Sequence, residues 1–105
     1  MTLLFDNETE TILRNKITDY ASYLKSICYN EDKKELIFNK ICQINTYELM
    51  LSMMFYKLRY DKDIYIKNLM NENFITYNED NFNNIKNKIQ YFLNVFDILN
   101  SKPLI

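Results

Sequence analysis

Two stretches of the chain repeat apolar residues at the spacing of an amphipathic helix. Near the start, these residues are Leu13, Ile17, Tyr20, Leu24 and Ile27. Near the end, they are Phe82, Ile85, Ile89, Phe92, Phe96 and Leu99. Residues three or four positions apart share one side of a helix, so each set forms an apolar stripe. The pattern therefore predicts a long helix in each half of the chain.

Polar residues that favour helix starts precede each apolar run. Asn7 stands three positions before Glu10, and Asn45 stands three before Glu48, which is the spacing of a capping box. Similar starts are predicted at Asn30, at Asp61 and at Thr76 or Asn78. The predicted helices cover approximately residues 7–29, 31–44, 46–60, 62–71 and 79–100. We therefore predict one all-α domain, residues 1–105, built as a compact bundle of four to five helices.

The segment 64–77 permits two interpretations. Ile64-Tyr65-Ile66 and Phe74-Ile75-Thr76-Tyr77 could pair as a short β-hairpin, because periodicity cannot classify short β-branched runs. Alternatively, Tyr65, Leu69 and Met70 could form the inner face of a short helix. We favour the helix, because these three positions fit one helical face better than one strand face.

Two regions carry more apolar surface than a small core requires. The predicted third helix is apolar around nearly its whole circumference, and Met50, Met53 and Met54 give it the adaptable surface typical of binding grooves. The last helix has a second stripe, Tyr91, Val95 and Ile98. We predict that these six residues bind a protein partner. The alternative is that the third helix is the central helix of the bundle, with the Leu104–Ile105 tip or a second copy covering the last helix.

Composition excludes several chemistries. The chain contains no His and no Gly, so it can form neither a His-based catalytic triad nor a glycine-rich phosphate loop. Cys28 and Cys42 are too few for a zinc site and too far apart for a disulfide. The carboxylate pairs Glu31/Asp32, Asp61/Asp63 and Glu79/Asp80 all fall at predicted helix starts, where the helix dipole favours them. We therefore predict no enzyme activity, no cofactor and no metal.

A cluster of basic and aromatic residues forms a candidate nucleic-acid contact. Its members are Tyr56, Lys57, Arg59, Tyr60, Lys62, Tyr65 and Lys67. A winged-helix DNA-binding regulator would use helices two and three, with 64–77 as the wing. The third helix lacks the Arg, Asn or Gln expected of a recognition helix, however. Nucleic acid is therefore the less favoured partner, and the cluster is more simply the solvated end of that helix.

The net charge of −1 provides no general attraction to nucleic acid or anionic lipid. No apolar run is long enough to span a membrane. We expect a cytoplasmic protein, in the host cytoplasm if it is viral. The abundance of Asn, Lys, Ile and Tyr, which have A/T-rich codons, indicates an AT-rich genome and makes a phage or mobile element plausible.

The favoured function is a small non-enzymatic inhibitor or adaptor that binds a host defence or replication protein. The alternatives are the DNA-binding regulator and an immunity protein or antitoxin, and a homodimer is a further candidate assembly.

Overall fold

The computed structural model describes residues 5–101 of the chain, and the side chains of residues 5–98 within it. The helices are α1 Asn7–Ile27, α2 Lys34–Cys42, α3 Thr46–Lys57, α4 Lys62–Glu72 and α5 Glu79–Ser101, with a short 3-10 turn at Glu31–Lys33 before α2. Residues 5–101 contain no strand. The predicted all-α bundle of four to five helices is confirmed.

The first helix begins where expected, but its cap lies one residue earlier. Asp6, not Asn7, has the extended backbone of a capping residue, and its carboxylate accepts the Thr9 N–H at 2.7 Å. Asn7 is already the first residue of α1, so its proposed pairing with Glu10 was wrong. Glu10 instead accepts the Thr46 hydroxyl at 2.7 Å and joins α1 to the start of α3.

The caps predicted at Asn45, Asp61 and Asn78 are confirmed, whereas Asn30 caps the 3-10 turn Glu31–Lys33 and the N-cap residue of α2, Lys33, makes no side-chain capping bond. The Asn30 side-chain oxygen accepts the Asp32 N–H at 3.0 Å, and the Asn45 oxygen accepts the Glu48 N–H at 2.8 Å. The Asp61 carboxylate accepts the Ile64 N–H at 3.1 Å, and the Asn78 oxygen accepts the Asn81 N–H at 2.7 Å. In a chain without glycine, short polar side chains therefore begin the helices by satisfying free N–H groups.

A pair of backbone hydrogen bonds ends α1 two residues earlier than predicted. The Tyr29 N–H donates to the Phe74 carbonyl at 2.9 Å, and the Thr76 N–H donates to the Ile27 carbonyl at 3.0 Å. Between them, Cys28 and Ile75 form an isolated antiparallel bridge. We call this connection the clasp. It requires extended backbone at Cys28, which is incompatible with continuing the helix.

The segment 64–77 follows the helical interpretation. Residues to Glu72 belong to α4, and the hairpin alternative was wrong, since Ile75 pairs with Cys28 rather than with the 64–66 run. Phe74 turns the chain into the clasp with φ of 55°, a left-handed conformation that is uncommon for an aromatic residue.

The central helix is α5, which contacts α1, α3 and α4. The Tyr20 and Phe92 rings lie 6.2 Å apart, Lys57 Nζ is 2.9 Å from Asp97 Oδ1, and Lys86 Nζ is 3.0 Å from Asp63 Oδ1. The buried residues of α5 supply the middle of the core: Ile85, Ile89, Phe92, Leu93 and Phe96. The alternative in which α3 occupies the centre was therefore wrong.

Both cysteines are free thiols, with Cys28 buried beside the clasp and Cys42 half-buried. None of the helices in residues 5–101 combines the length and apolar character needed to cross a membrane.

Candidate functional site

The apolar residues of α3 divide between two opposite sides of the helix. On the inner side, Leu49, Met53 and Tyr56 are buried in the core. These positions recur at spacings of four and three, so they lie above one another on a single face. The Tyr56 ring also contacts the Tyr65 ring of α4, with 5.2 Å between centroids. This face accounts for only part of the apolar content of α3.

The second face points away from the core. We define the outward stripe as Tyr47, Leu51, Met54, Phe55 and Leu58. These residues follow the i, i+4, i+7, i+8, i+11 pattern of one helix face. Phe55 is 64% exposed and Leu58 is 83% exposed. Only Leu51 is half-buried, and the other four are exposed.

Polar contacts fix the helix that presents this stripe. At its start, the Thr46 hydroxyl donates to the Glu10 carboxylate of α1 at 2.7 Å. At its end, the Lys57–Asp97 ion pair joins α3 to α5. The two helix ends are therefore tied while the stripe between them remains open to solvent.

The six predicted partner-binding residues occupy different environments. Met53 is 6% exposed and belongs to the core, and Met50 and Val95 pack against it from the side. Met54 is 50% exposed and lies on the outward stripe. The Tyr91 side chain is 37% exposed, and Lys16 Nζ lies over its ring, 5.2 Å from the centroid.

Different sides of α5 meet α3 and α1. Asp97 marks the side of α5 that meets α3, whereas Tyr91 marks the side that meets α1. Ile98 is exposed and lies one helical position from Asp97, about 100° around the helix. Tyr91, in the predicted stripe of α5, therefore lies on the α1 side of that helix rather than on the α3 side.

Sequence reasoning did not select Tyr47, Phe55 and Leu58. A signal was present, because their spacing with Leu51 and Met54 forms a second helical stripe. Composition singles out the methionines of α3, whereas the periodicity of its apolar residues separates the inner face from the outer one.

The basic and aromatic cluster is largely committed to internal contacts. Tyr56 is buried, Lys57 pairs with Asp97, and Lys62 Nζ donates to the Arg59 carbonyl at 2.9 Å. The Arg59 guanidinium lies 4.6 Å from the centroid of the Tyr65 ring.

Four members of the cluster are nevertheless exposed: Lys57, Arg59, Tyr60 and Lys67. The segment predicted as a DNA-binding wing forms α4, and residues 5–101 contain no β-hairpin for that role.

Neither a family model, nor a curated protein, nor a solved structure matches this chain.

The carboxylates show the geometry expected of helix starts. Glu31/Asp32, Asp61/Asp63 and Glu79/Asp80 each lie at or beside the first turn of a helical segment. Among the described residues, no three His, Cys, Asp or Glu side chains converge as a set of metal ligands.

Burial raises the pKa of the Tyr20 and Tyr56 phenols, so both remain protonated well above neutral pH.

Proposed function

We propose that the protein is a non-enzymatic inhibitor or adaptor that binds another protein through the outward stripe of α3. The single observation that carries this proposal is the exposure of Tyr47, Met54, Phe55 and Leu58 along one face of a helix whose opposite face is buried. The largest contiguous apolar patch on a small domain is often an interaction site.

The partner that fits is a protein with an apolar groove that accepts one helix. The stripe runs from Tyr47 to Leu58, a length of about 16 Å at 1.5 Å per residue. Anchors at i, i+4, i+7 and i+8 are the pattern by which helices occupy such grooves. Phe55 and Leu58, as the most exposed side chains on the stripe, are the expected anchors.

Area favours this partner over a second copy of the chain. The five side chains offer on the order of 500 Å² of apolar surface. Two stripes facing each other would bury roughly 1,000 Å² in total, below the ~1,200 Å² of stable specific interfaces. A concave groove also buries the flanks of α3, whereas two convex helix faces in contact leave most of their flanks in solvent.

The test is purification of the tagged full chain from its native host, with mass spectrometry of the proteins that accompany it. Leu58→Glu places a charge on the outward stripe, and Leu36→Glu places the same charge at an exposed apolar position on α2. We expect one protein to be retained by the parent and by Leu36→Glu, and depleted at least tenfold by Leu58→Glu, because a buried anchor dominates such interfaces.

Equal retention by both variants would contradict the proposal, as would recovery of nucleic acid alone. Recovery of the chain as a tight dimer that Leu58→Glu dissociates would replace the external partner with a second copy. Circular dichroism of each variant verifies that the helical content is unchanged. The expected host defence or replication target stays a prediction until the partner is identified.

A further inference from the structure

A cleft of about 800 Å³ opens beside the core, on the side of α3 away from the outward stripe. Its floor is formed by α1 and α5, which contribute Ile17, Leu24, Ile89 and Phe92, and its walls are formed by α2, α3 and α4. This volume lies within the range typical of small-molecule sites, about 300–1,000 Å³. The cleft is therefore large enough for a compound of moderate size.

Two phenol hydroxyls interrupt this largely apolar lining. Tyr20 of α1 and Tyr65 of α4 both line the cleft. Within residues 5–98 neither hydroxyl has a hydrogen-bond partner, and neither is a fully enclosed polar atom. Burial raises the pKa of the Tyr20 phenol, and the electrostatic effect of Tyr65 raises it further. Tyr20 is thus a neutral hydrogen-bond donor close to Tyr65.

A cation in the lining contacts the Tyr65 ring. The Arg59 guanidinium stacks on the Tyr65 ring at 4.6 Å, lines the cleft, and forms no ion pair with a described carboxylate. Asp61 lines the same end, but its carboxylate caps α4 by accepting the Ile64 N–H at 3.1 Å. The other charged lining residues are Lys40 and Glu72, and Glu72 is at the far end of α4. Arg59 is thus the lining cation in contact with Tyr65.

We propose that this cleft binds a small amphiphilic carboxylate, with its aliphatic or aromatic body against the apolar lining and its acid group at Tyr20, Tyr65 and Arg59. Two neutral O–H donors and one guanidinium satisfy the lone pairs and the charge of a single carboxylate. Ile41, Leu49, Ile64 and Leu69 enclose the body of the molecule. An alcohol of the same length would keep the apolar contacts but would lose the ionic one.

Calorimetry with decanoate and decan-1-ol as probes tests this proposal on the full chain. We expect saturable one-to-one binding of decanoate. Arg59→Gln should weaken decanoate binding about tenfold and leave decan-1-ol binding unchanged, because only the carboxylate interacts with the guanidinium. Arg14→Gln is the matched control, since Arg14 is the other arginine of the chain and lies outside the cleft lining.

Tyr20→Phe removes one donor without changing the shape of the ring, and it should weaken decanoate binding several-fold. Tyr77→Phe, at an exposed position, is its control. Methyl NMR locates the probe: Ile41, Ile64 and Leu69 should shift, and Leu58 on the outward stripe should not.

The proposal is overturned if decanoate does not bind saturably, if Arg59→Gln and Arg14→Gln have equal effects, or if the largest shifts fall on the outward stripe. Leu58→Glu should retain decanoate binding, so failure of the docking proposal and failure of this one remain distinguishable. Arg59 is exposed and the Tyr20 hydroxyl has no partner, so neither substitution should unfold the chain.

Discussion

The inner and outer faces of α3 have nearly the same composition and opposite environments. Tyr56 is 3% exposed, whereas its neighbour Phe55 is 64% exposed, and Met53 and Met54 differ in the same way. Both faces contain an aromatic ring, a methionine and a leucine. Hydrophobicity alone therefore does not determine which side of this helix is buried.

The difference arises from what lies next to each face. The inner face packs on α1 and α5, and the Tyr56 ring reaches Tyr65 on α4. Among the described residues, neither Tyr47 nor Phe55 on the outer face has an aromatic neighbour in ring contact. Residues on the inner face should thus determine stability, and residues on the outer face should determine binding.

The largest expected effect separates the two adjacent aromatic residues. Tyr56→Ala should lower the free energy of unfolding by about 3–5 kcal/mol, because it leaves a cavity in the core. Phe55→Ala should change it by no more than about 0.5 kcal/mol, because that ring is already in solvent. Urea denaturation measures both values. Equal losses would show that α3 is rotated relative to the arrangement described here.

Alkaline pH should act on the inner face. Because burial raises the pKa of Tyr56 in the folded chain, the contribution of Tyr56 to the free energy of unfolding should be constant below about pH 10 and should fall above it, when the unfolded chain ionises first. The contribution of one tyrosine is at most about 1.4 kcal/mol per pH unit. Urea denaturation at several pH values above 10 measures this decline in the free energy of unfolding. Tyr56→Phe should show a smaller decline than the parent chain, and Tyr47→Phe is the control for removing one hydroxyl. A parent-like decline in Tyr56→Phe would count against the prediction.

The cap of α3 should influence both faces equally. Asn45→Ala removes the oxygen that accepts the Glu48 N–H and should cost about 1 kcal/mol. Partner binding per folded molecule should be unchanged, because no residue of the outward stripe is altered. Thermal unfolding measures the loss, with Asn15→Ala, at an exposed site inside α1, as the control that should not destabilise. A larger loss from Asn15→Ala would refute the assignment of Asn45 as the cap.

The smallest expected effect concerns the ion pair at the border between the faces. Both side chains of Lys57 and Asp97 are more than half exposed, so a double-mutant cycle should yield a coupling of about 0.2–1 kcal/mol. The coupling should decrease as salt increases. The same cycle with Lys67 in place of Lys57 is the control and should give no coupling. A Lys57–Asp97 coupling that persists at high salt would be inconsistent with an exposed pair.

Most of the secondary structure could be predicted from local sequence. Asn30, Asn45, Asp61 and Asn78 act as caps through bonds to N–H groups two or three residues away, and such contacts are visible in a short window of sequence. The predicted ends were less accurate. The end of α1 depends on Ile75, which is distant in the chain, and no local pattern at Cys28 indicates that contact.

The candidate sites depended even more on tertiary structure. The sequence showed that α3 is apolar all round, but only the position of α5 determines which side is covered. The cleft could not be predicted, because Tyr20, Arg59 and Tyr65 come from separate elements that packing brings together. No periodicity within one helix reports such a convergence.

The clasp divides the chain into a closed ring and two arms. Its two hydrogen bonds close residues 28–75 into a loop, and α1 and α5 leave that loop as arms of 21 and 23 residues. The arms pack along each other in opposite directions, since Tyr23 meets Asn81 and Phe5 meets Phe96. Closing a long loop has an entropic cost that individual helices do not bear. During folding, the helices can therefore form early, but the ring closes only when Cys28 meets Ile75, and the cleft, whose floor lies on the arms, is completed only when α1 and α5 pack together.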